Sequence, residues 1–300
     1  MRRILLLLAV ALAGCAPFNQ PYRGNPGGEA PRLVAPPVYR LAVPSPDQAM
    51  LTDRASSNLA VLMAESLVAD EVPAVAGPPT PLDWQLTIAA TREGEMIRPR
   101  YTLRDADGRD LGATAGPLVP VAAWGAEAEG TLAGAAQAAT PLVARLLAGA
   151  DAARRAADPD TLRAGAPPRL RLMPVHGAPG DGNTSLTTRL REFLPNEGFA
   201  VQDVADGAGF AVEGVVRVSR DRAHPTEDQA DIQFIVTRRD GEELGRVAFV
   251  NNVPTGSLDG YWGDIADVIA QTAAPGIKQV VETAGGFAAA QPATPATRAP

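Results

Sequence analysis

The feature that most constrains the fold of this chain is an internal repeat. Residues 101–112, YTLRDADGRDLG, align with residues 234–245, FIVTRRDGEELG. The other matched segments keep the same order in both halves: 36–44 with 167–175, and 136–147 with 270–281. Chance similarity does not preserve such an order, so the sequence predicts two tandem copies of one module.

The second copy shows the order of elements most clearly. Alternation around Leu170 and Leu172 predicts a half-buried strand. Asp240-Gly241 lies between two alternating runs and predicts a hairpin, because glycine supplies the positive φ of a tight turn. The remaining predicted elements are a helix over Thr184–Leu194, strands over Phe199–Val204 and Phe210–Ser219, and a closing helix from about Tyr261 to Glu282. We expect the apolar stripe of the closing helix to face the core; its residues are Ile265, Val268, Ile269, Thr272, Ile277, Val280 and Val281.

This order of strand, helix, mainly antiparallel strands and helix predicts an α+β fold whose helices cover one face of each sheet. The first copy repeats the order, with a hairpin at Asp107-Gly108 and a closing helix from about Ala128 to Leu147. Each closing helix contains one proline, Pro141 or Pro275, at the equivalent place. Proline removes a backbone donor, so we expect a kink or an interruption there.

The N-terminal residues are typical of an export signal. Arg2 and Arg3 precede an apolar run that is too short to span a bilayer. The run ends in Leu12-Ala13-Gly14-Cys15, and Cys15 is the only cysteine of the chain. These four residues resemble the lipobox of bacterial lipoproteins. The resemblance implies cleavage before Cys15 and acyl chains on that residue; the alternative is an ordinary secretory signal with a chance cysteine.

Acyl chains on Cys15 would hold the protein on a membrane. Each buried methylene contributes about 0.8 kcal/mol, and two or more chains anchor stably. Residue 16 is alanine and not the aspartate that marks inner-membrane retention in enteric lipoproteins. The resemblance therefore implies the outer membrane of the bacterial envelope, with the protein facing the periplasm.

Composition divides the chain into six predicted parts. Residues rich in Pro and Gly behave as tethers, and tracts of Ala, Pro and Thr do not bury a core. The parts are a signal peptide (1–14), a flexible tether (15–35), a first module (36–149), a linker (150–166), a second module (167–284) and a disordered tail (285–300).

Charge and residue types exclude several classes of function. Removing Arg2 and Arg3 with the signal peptide leaves 25 basic residues against 34 acidic ones, a net charge of −9. A nucleic-acid partner is therefore not expected. The two histidines, His176 and His224, do not suggest a metal site. The DADGRD run at 105–110 lacks the closing glutamate of a calcium loop. We expect no cofactor, no metal and no catalytic constellation.

The most promising candidate surface is the segment 251–264, NNVPTGSLDGYWGD, which we expect to be a loop before the closing helix. Polar groups beside aromatic ones on a rigidly mounted loop are typical of recognition sites. The candidate residues for binding a protein partner are Asn251, Asn252, Ser257, Asp259, Tyr261 and Trp262. In the alternative interpretation, Tyr261 and Trp262 plug the core and the glycines shape the turn.

In its order of elements, each module resembles small domains of envelope proteins: the N-terminal domain of TolB, the curli-assembly lipoprotein CsgG, and lipoprotein activators of penicillin-binding proteins. The resemblance rests on no shared motif and implies a non-catalytic adaptor.

Three hypotheses about function follow. The first is an adaptor that binds another envelope protein through the second module or an exposed sheet edge. The second is a carrier or sensor of a lipid or glycan, with a cavity between the modules. The third is a hydrolase using Asp259 and Asp264, which could instead cap the closing helix.

Overall fold

A computed structural model describes residues 39–157, 167–220 and 226–287. The predicted signal peptide, the tether and Cys15 lie outside the described residues, as do the end of the predicted linker and most of the predicted tail. Among the helices of the described ranges, none has both the length and the apolar character needed to cross a membrane.

The first module contains six strands and three helices in the described residues. The strands are β1 (Leu41–Val43), β2 (Ala74–Ala76), β3 (Trp84–Glu93), β4 (Met96–Arg104), β5 (Asp110–Ala115) and β6 (Val119–Pro120). The helices are α1 (Asp53–Ala69), α2 (Val121–Gly125) and α3 (Glu129–Ala157).

The second module follows the same order without counterparts of β6 and α2 among its described residues. Its strands are β7 (Arg169–Leu172), β8 (Ala200–Gln202), β9 (Phe210–Arg220), β10 (Glu227–Arg238) and β11 (Glu243–Pro254). Its helices are α4 (Gly182–Phe193), which continues into a 3-10 turn at Leu194–Glu197, and α5 (Gly263–Thr283).

The two sheets have one topology. The first has the order β2-β1-β3-β4-β5, and the second has the corresponding order β8-β7-β9-β10-β11. In each, the short first strand runs parallel to both of its neighbours, and the longer strands pair antiparallel. The predicted α+β class and the two tandem copies are confirmed.

Each module has its own core between one sheet face and its helices. Alternate residues of the strands point to that face, as the period of a strand requires, and are buried: Leu86 and Ile88 on β3, Ile232 and Phe234 on β10. Both hairpin turns also form as predicted, with positive φ at Gly108 (+82°) and Gly241 (+78°).

Pro141 and Pro275 lie inside helices that continue through them, so neither proline interrupts its helix. Two expectations about boundaries are wrong. Helix α3 reaches Ala157, well beyond the predicted end at Leu147 and into the predicted linker. Strand β11 continues to Pro254, so the expected loop begins with residues that still pair with β10.

The two modules belong to one compact unit and meet through equivalent residues. Arg171 donates to Asp107 in the hairpin turn of the first module (2.8 Å) and to the backbone carbonyl of Pro81. The residue that aligns with it, Arg40, lies against Gly241 in the hairpin turn of the second module. Each module therefore presents the same arginine to the turn of the other, which is the reciprocal pattern of an isologous contact.

Candidate functional site

The predicted surface segment borders an apolar groove in the second module. The groove has a volume of about 550 Å³ and lies between the end of β11 and the start of α5. Its lining residues are Ala230, Ile232, Asn251, Asn252, Val253, Leu258, Trp262, Asp264, Ile265, Val268 and Ile269.

The groove forms because helix α5 approaches β11 closely at one end only. At Gly276 the absence of a side chain lets the helix meet Val247: a Cβ built there would lie 3.0 Å from Val247 Cγ2. Toward its N-terminal end, the same helix presents Ile265 and Val268 to the space beside the strand. The groove is therefore a wedge between strand and helix.

Trp262 forms part of the floor of the groove and belongs to the core. Its side chain is 1% exposed, and its indole Nε1 donates to the carbonyl of Leu258 at 2.9 Å. Its backbone amide donates to Asp181 Oδ1 at 2.8 Å. Gly182 is packed against the ring, since a Cβ there would lie 2.5 Å from Trp262 Cε2. Trp262 therefore plugs the core, as the alternative interpretation held.

The other predicted residues lie around the groove. Asn251 pairs with Ala230 across the sheet and faces the helices, whereas Asn252 lies on the opposite face and donates to Glu227. Tyr261 is 79% exposed. Ser257 and Asp259 are also exposed. The structure thus brings the two asparagines and Trp262 to one groove, with the other three residues exposed on the adjoining segment.

Sequence analysis missed the apolar wall of the groove. It placed Ile265 and Val268 on the buried stripe of the closing helix, but they are 41% and 62% exposed. The face of α5 that enters the core consists mainly of alanines: Ala266, Ala270, Ala273 and Ala274. The sequence did contain a signal for this wall. The apolar residues of the closing helix cover a wider arc of its surface than one core-facing stripe needs.

The charge on the groove lining is negative in the described part of the chain. Asp264 is the charged residue in the lining. Near the same end, Asp228 accepts the amide of Gly256 at 3.2 Å and is also paired with Arg220. The backbone amide at the start of α5 is bonded by Asp181 and not by Asp259 or Asp264, so neither of these two acids has the predicted capping bond.

The corresponding corner of the first module is covered. Helix α2 lies there, and its Trp124 is 1% exposed, with Nε1 donating to the carbonyl of Ala49 at 2.9 Å. Glu127 accepts hydrogen bonds from the amide (2.7 Å) and hydroxyl (2.8 Å) of Thr52, the N-cap residue of α1. These bonds lower the pKa of the Glu127 carboxyl.

A second cavity, of about 360 Å³, lies where the modules meet. The ring of Tyr39 lines it and stacks on Trp84 with centroids 4.7 Å apart. The guanidinium carbons of Arg154 and Arg239 each lie 4.7 Å from the centroid of the Tyr39 ring. Burial raises the pKa of the Tyr39 phenol, so it stays protonated at neutral pH. The polar part of the lining also includes Arg109 and four aspartates: Asp105, Asp107, Asp110 and Asp206.

The described residues contain no group of three or more His, Cys, Asp or Glu side chains that could hold a metal ion. His176 is exposed, with its Nδ1 4.0 Å from Glu213 Oε1. His224 lies outside the described residues.

Comparisons with known proteins give little. No protein-family model matches the sequence, and no curated protein sequence is similar to it. Among solved structures, the PelC dodecamer from Paraburkholderia phytofirmans is 12% identical, with a TM-score of 0.27, and the match covers 38% of this chain and 89% of that one. A hypothetical protein from Chlamydia trachomatis is 7% identical, with a TM-score of 0.27, and covers 41% of this chain and 98% of its own. At these scores neither similarity carries an inference about function.

Proposed function

We propose that this chain is a lipoprotein, anchored through acyl chains on Cys15 in the outer membrane and facing the periplasm, that binds another envelope protein as a non-catalytic adaptor. The anchor is proposed from the lipobox resemblance of residues 12–15. The observation that supports binding is the groove of the second module, where apolar side chains as large as Ile265 and Val268 stay exposed beside a rigid strand and helix. Exposed apolar surface that is mounted in this way is typical of an interaction site.

The groove suits a protein partner better than a reacting substrate. Its lining is mainly aliphatic, and its polar side chains on the helix-facing side of the sheet are the amide of Asn251 and the carboxylate of Asp264. An amide neither ionises nor acts as a general base, whereas it hydrogen-bonds readily to a peptide backbone. The adaptor proposal uses each of these groups without requiring a catalytic pair.

The binding proposal is tested by crosslinking in intact cells, followed by capture through a tag after residue 300. The informative variant is Val268→Asp, because Val268 is 62% exposed and its replacement leaves the core intact. The matched control is Thr272→Asp, which puts the same charge on an exposed position of the same helix, outside the groove lining. We expect one envelope protein to be recovered with wild type and with Thr272→Asp and to be lost with Val268→Asp. Equal recovery with both variants would contradict binding through the groove.

The anchor is tested independently of the groove. We expect a clickable palmitate analogue to label the wild-type chain in growing cells, and the Cys15→Ser variant to lose both the label and its sedimentation with outer membranes. Labelling that survives in Cys15→Ser would contradict the proposed attachment.

A second candidate function is supported by the cavity between the modules. Its wall combines carboxylates and guanidinium groups with the ring of Tyr39, and this mixture matches the hydroxyls of a small glycan better than an acyl chain. Titration of the chain with soluble oligomers of N-acetylglucosamine tests this candidate. Saturable heat that is lost in Asp110→Asn would favour it, and no heat at millimolar glycan would dismiss it.

A further inference from the structure

Strand β11 is an open edge of the second sheet. It is the last strand in the order β8-β7-β9-β10-β11, and among the described residues its pairing partner is β10. It spans 12 residues, with one register shift between Glu243 and Gly245, and Val250 on its outer face is 59% exposed. An edge strand presents a row of unpaired backbone N–H and C=O groups, to which another extended chain can bind.

The groove lies alongside this edge. Asn251 and Val253 are two residues apart on β11, so both point to the face that α5 covers, and both line the groove. A strand added beside β11 would place every second side chain on the same face. Those side chains would enter the wedge between β11 and Ile265 and Val268 of α5.

The charges favour a basic partner segment. Within the described residues that line the groove, the charged side chain is Asp264. Asp259, on the segment that closes this end, is exposed. Glu227, which accepts from Asn252 Nδ2 at 3.2 Å, lies on the opposite face of the sheet and does not line the groove. A bound segment with lysine or arginine beside its apolar residues would therefore meet acidic groups at the end of the groove.

The first module lacks this combination. Its edge is divided into β5 and the two-residue β6. Pro117 lies between them, and a proline has no backbone donor. Helix α2 then covers the corner that is open in the second module. The difference between these two equivalent edges assigns the binding mode at this edge to the second module.

We propose that β11 and its groove bind an extended segment of the partner by strand addition, with alternate apolar side chains of the segment in the groove and basic residues at its flanks. The proposal rests on the proposed adaptor function and specifies its partner chemistry. Backbone pairing would supply affinity without sequence dependence, and the groove and Asp264 would supply selectivity.

The test uses the purified full chain in detergent and fluorescent peptides of defined sequence. The first probe is KKVTVTVTVKK, and the second carries glutamate in place of each lysine. Two further versions of the first probe are N-methylated at alternate residues, in the two possible registers. We expect the lysine peptide to bind at least about tenfold more tightly than the glutamate peptide. One N-methylated version should lose binding and the other should keep it, because a strand pairs through alternate amides only.

Variants separate this proposal from the adaptor function. Val268→Asp should weaken binding of the lysine peptide, Thr272→Asp should not, and Asp264→Lys should reverse the preference between the two flanks. Absence of peptide binding, or equal tolerance of both N-methylated versions, would overturn strand addition. The crosslinking experiment in cells would then still test the adaptor function. Loss of the partner in Val268→Asp would support binding through the groove whether or not the partner adds a strand to β11.

Discussion

The two modules share one topology and differ at the strand that precedes the closing helix. In the first module this edge is divided into β5 and β6, and helix α2 covers the adjoining corner. In the second module β11 is continuous, and the corner is an open groove. The same strand order therefore accommodates two different structures at this edge.

What the modules keep is the closure of the core below that edge. A buried tryptophan precedes each closing helix, Trp124 or Trp262, and each donates its indole N–H to a backbone carbonyl. In each module a carboxylate also links the start of the first helix to the start of the closing helix. The two modules differ in which of these helix starts carries the carboxylate. Glu127 accepts from the N-cap residue of α1, whereas Asp181, the N-cap residue of α4, accepts from Trp262. Both modules therefore close the core with a tryptophan and a carboxylate, but the residue that supplies the carboxylate differs.

The largest expected effect tests whether the two tryptophans have the same role. Replacing Trp124 or Trp262 with alanine removes a ring that is 1% exposed, so we expect each change to lower the free energy of unfolding by roughly 3–5 kcal/mol. Urea titration followed by circular dichroism measures the loss. Tyr261→Ala, at an exposed position, is the control and should stay within about 0.5 kcal/mol of wild type. A Trp262→Ala chain as stable as wild type would show that this ring is not part of the core.

A smaller effect tests the approach of the closing helix to the edge strand. Gly112 and Gly245 align in the repeat, and a Cβ would lie 2.7 Å from Leu146 Cδ1 at the first and 3.3 Å from Val280 Cγ1 at the second. We expect both Gly112→Ala and Gly245→Ala to destabilise the chain by about 1–3 kcal/mol, because both glycines have a positive φ (+151° and +158°) that alanine rarely adopts. We expect the larger loss at Gly112, because a Cβ there would also overlap Leu146. The same urea titration compares them. A greater loss at Gly245 would reverse this view of the two edges.

The smallest effect concerns pH. Hydrogen bonds from the Thr52 amide and hydroxyl lower the pKa of Glu127 below its ordinary value of 4.5. The stabilisation is therefore present above the unfolded pKa and is lost as the pH falls through the lower folded pKa. We expect the difference in urea midpoint between wild type and Glu127→Gln to shrink as the pH is lowered from neutral to below about 4. A difference that is independent of pH would mean that the carboxylate charge does not hold the corner.

Much of the fold follows from local signals. The repeat, the Asp-Gly turns and the alternating strands predict the α+β modules, because turn chemistry and strand period are properties of a few neighbouring residues. The length of β11 and the continuity of α3 through Pro141 are less local. Pairing with β10 extends the strand through Asn251 and Asn252, and a helix that packs along its length tolerates the loss of one backbone donor.

The site was predicted in part for the same reason. The segment 251–264 was recognisable from its polar and aromatic residues, but its groove depends on contacts between elements. Gly276 lets α5 touch Val247, and Ala270 lies in the core where the sequence pattern favoured Val268. Small residues at a helix interface become informative only when the neighbouring strand is known. The arginine contacts between the modules are likewise invisible to any local pattern.

Those arginine contacts carry a consequence for the history of the chain. Arg40 and Arg171 occupy aligned positions, and each meets the hairpin turn of the other half. A surface that recognises its own repeat is one through which a single-module ancestor could have self-associated. In such a homodimer every mutation changes both subunits at once. After fusion of two copies into one chain, each module can change separately, so the first could keep a covered sheet edge while the second acquired an open one.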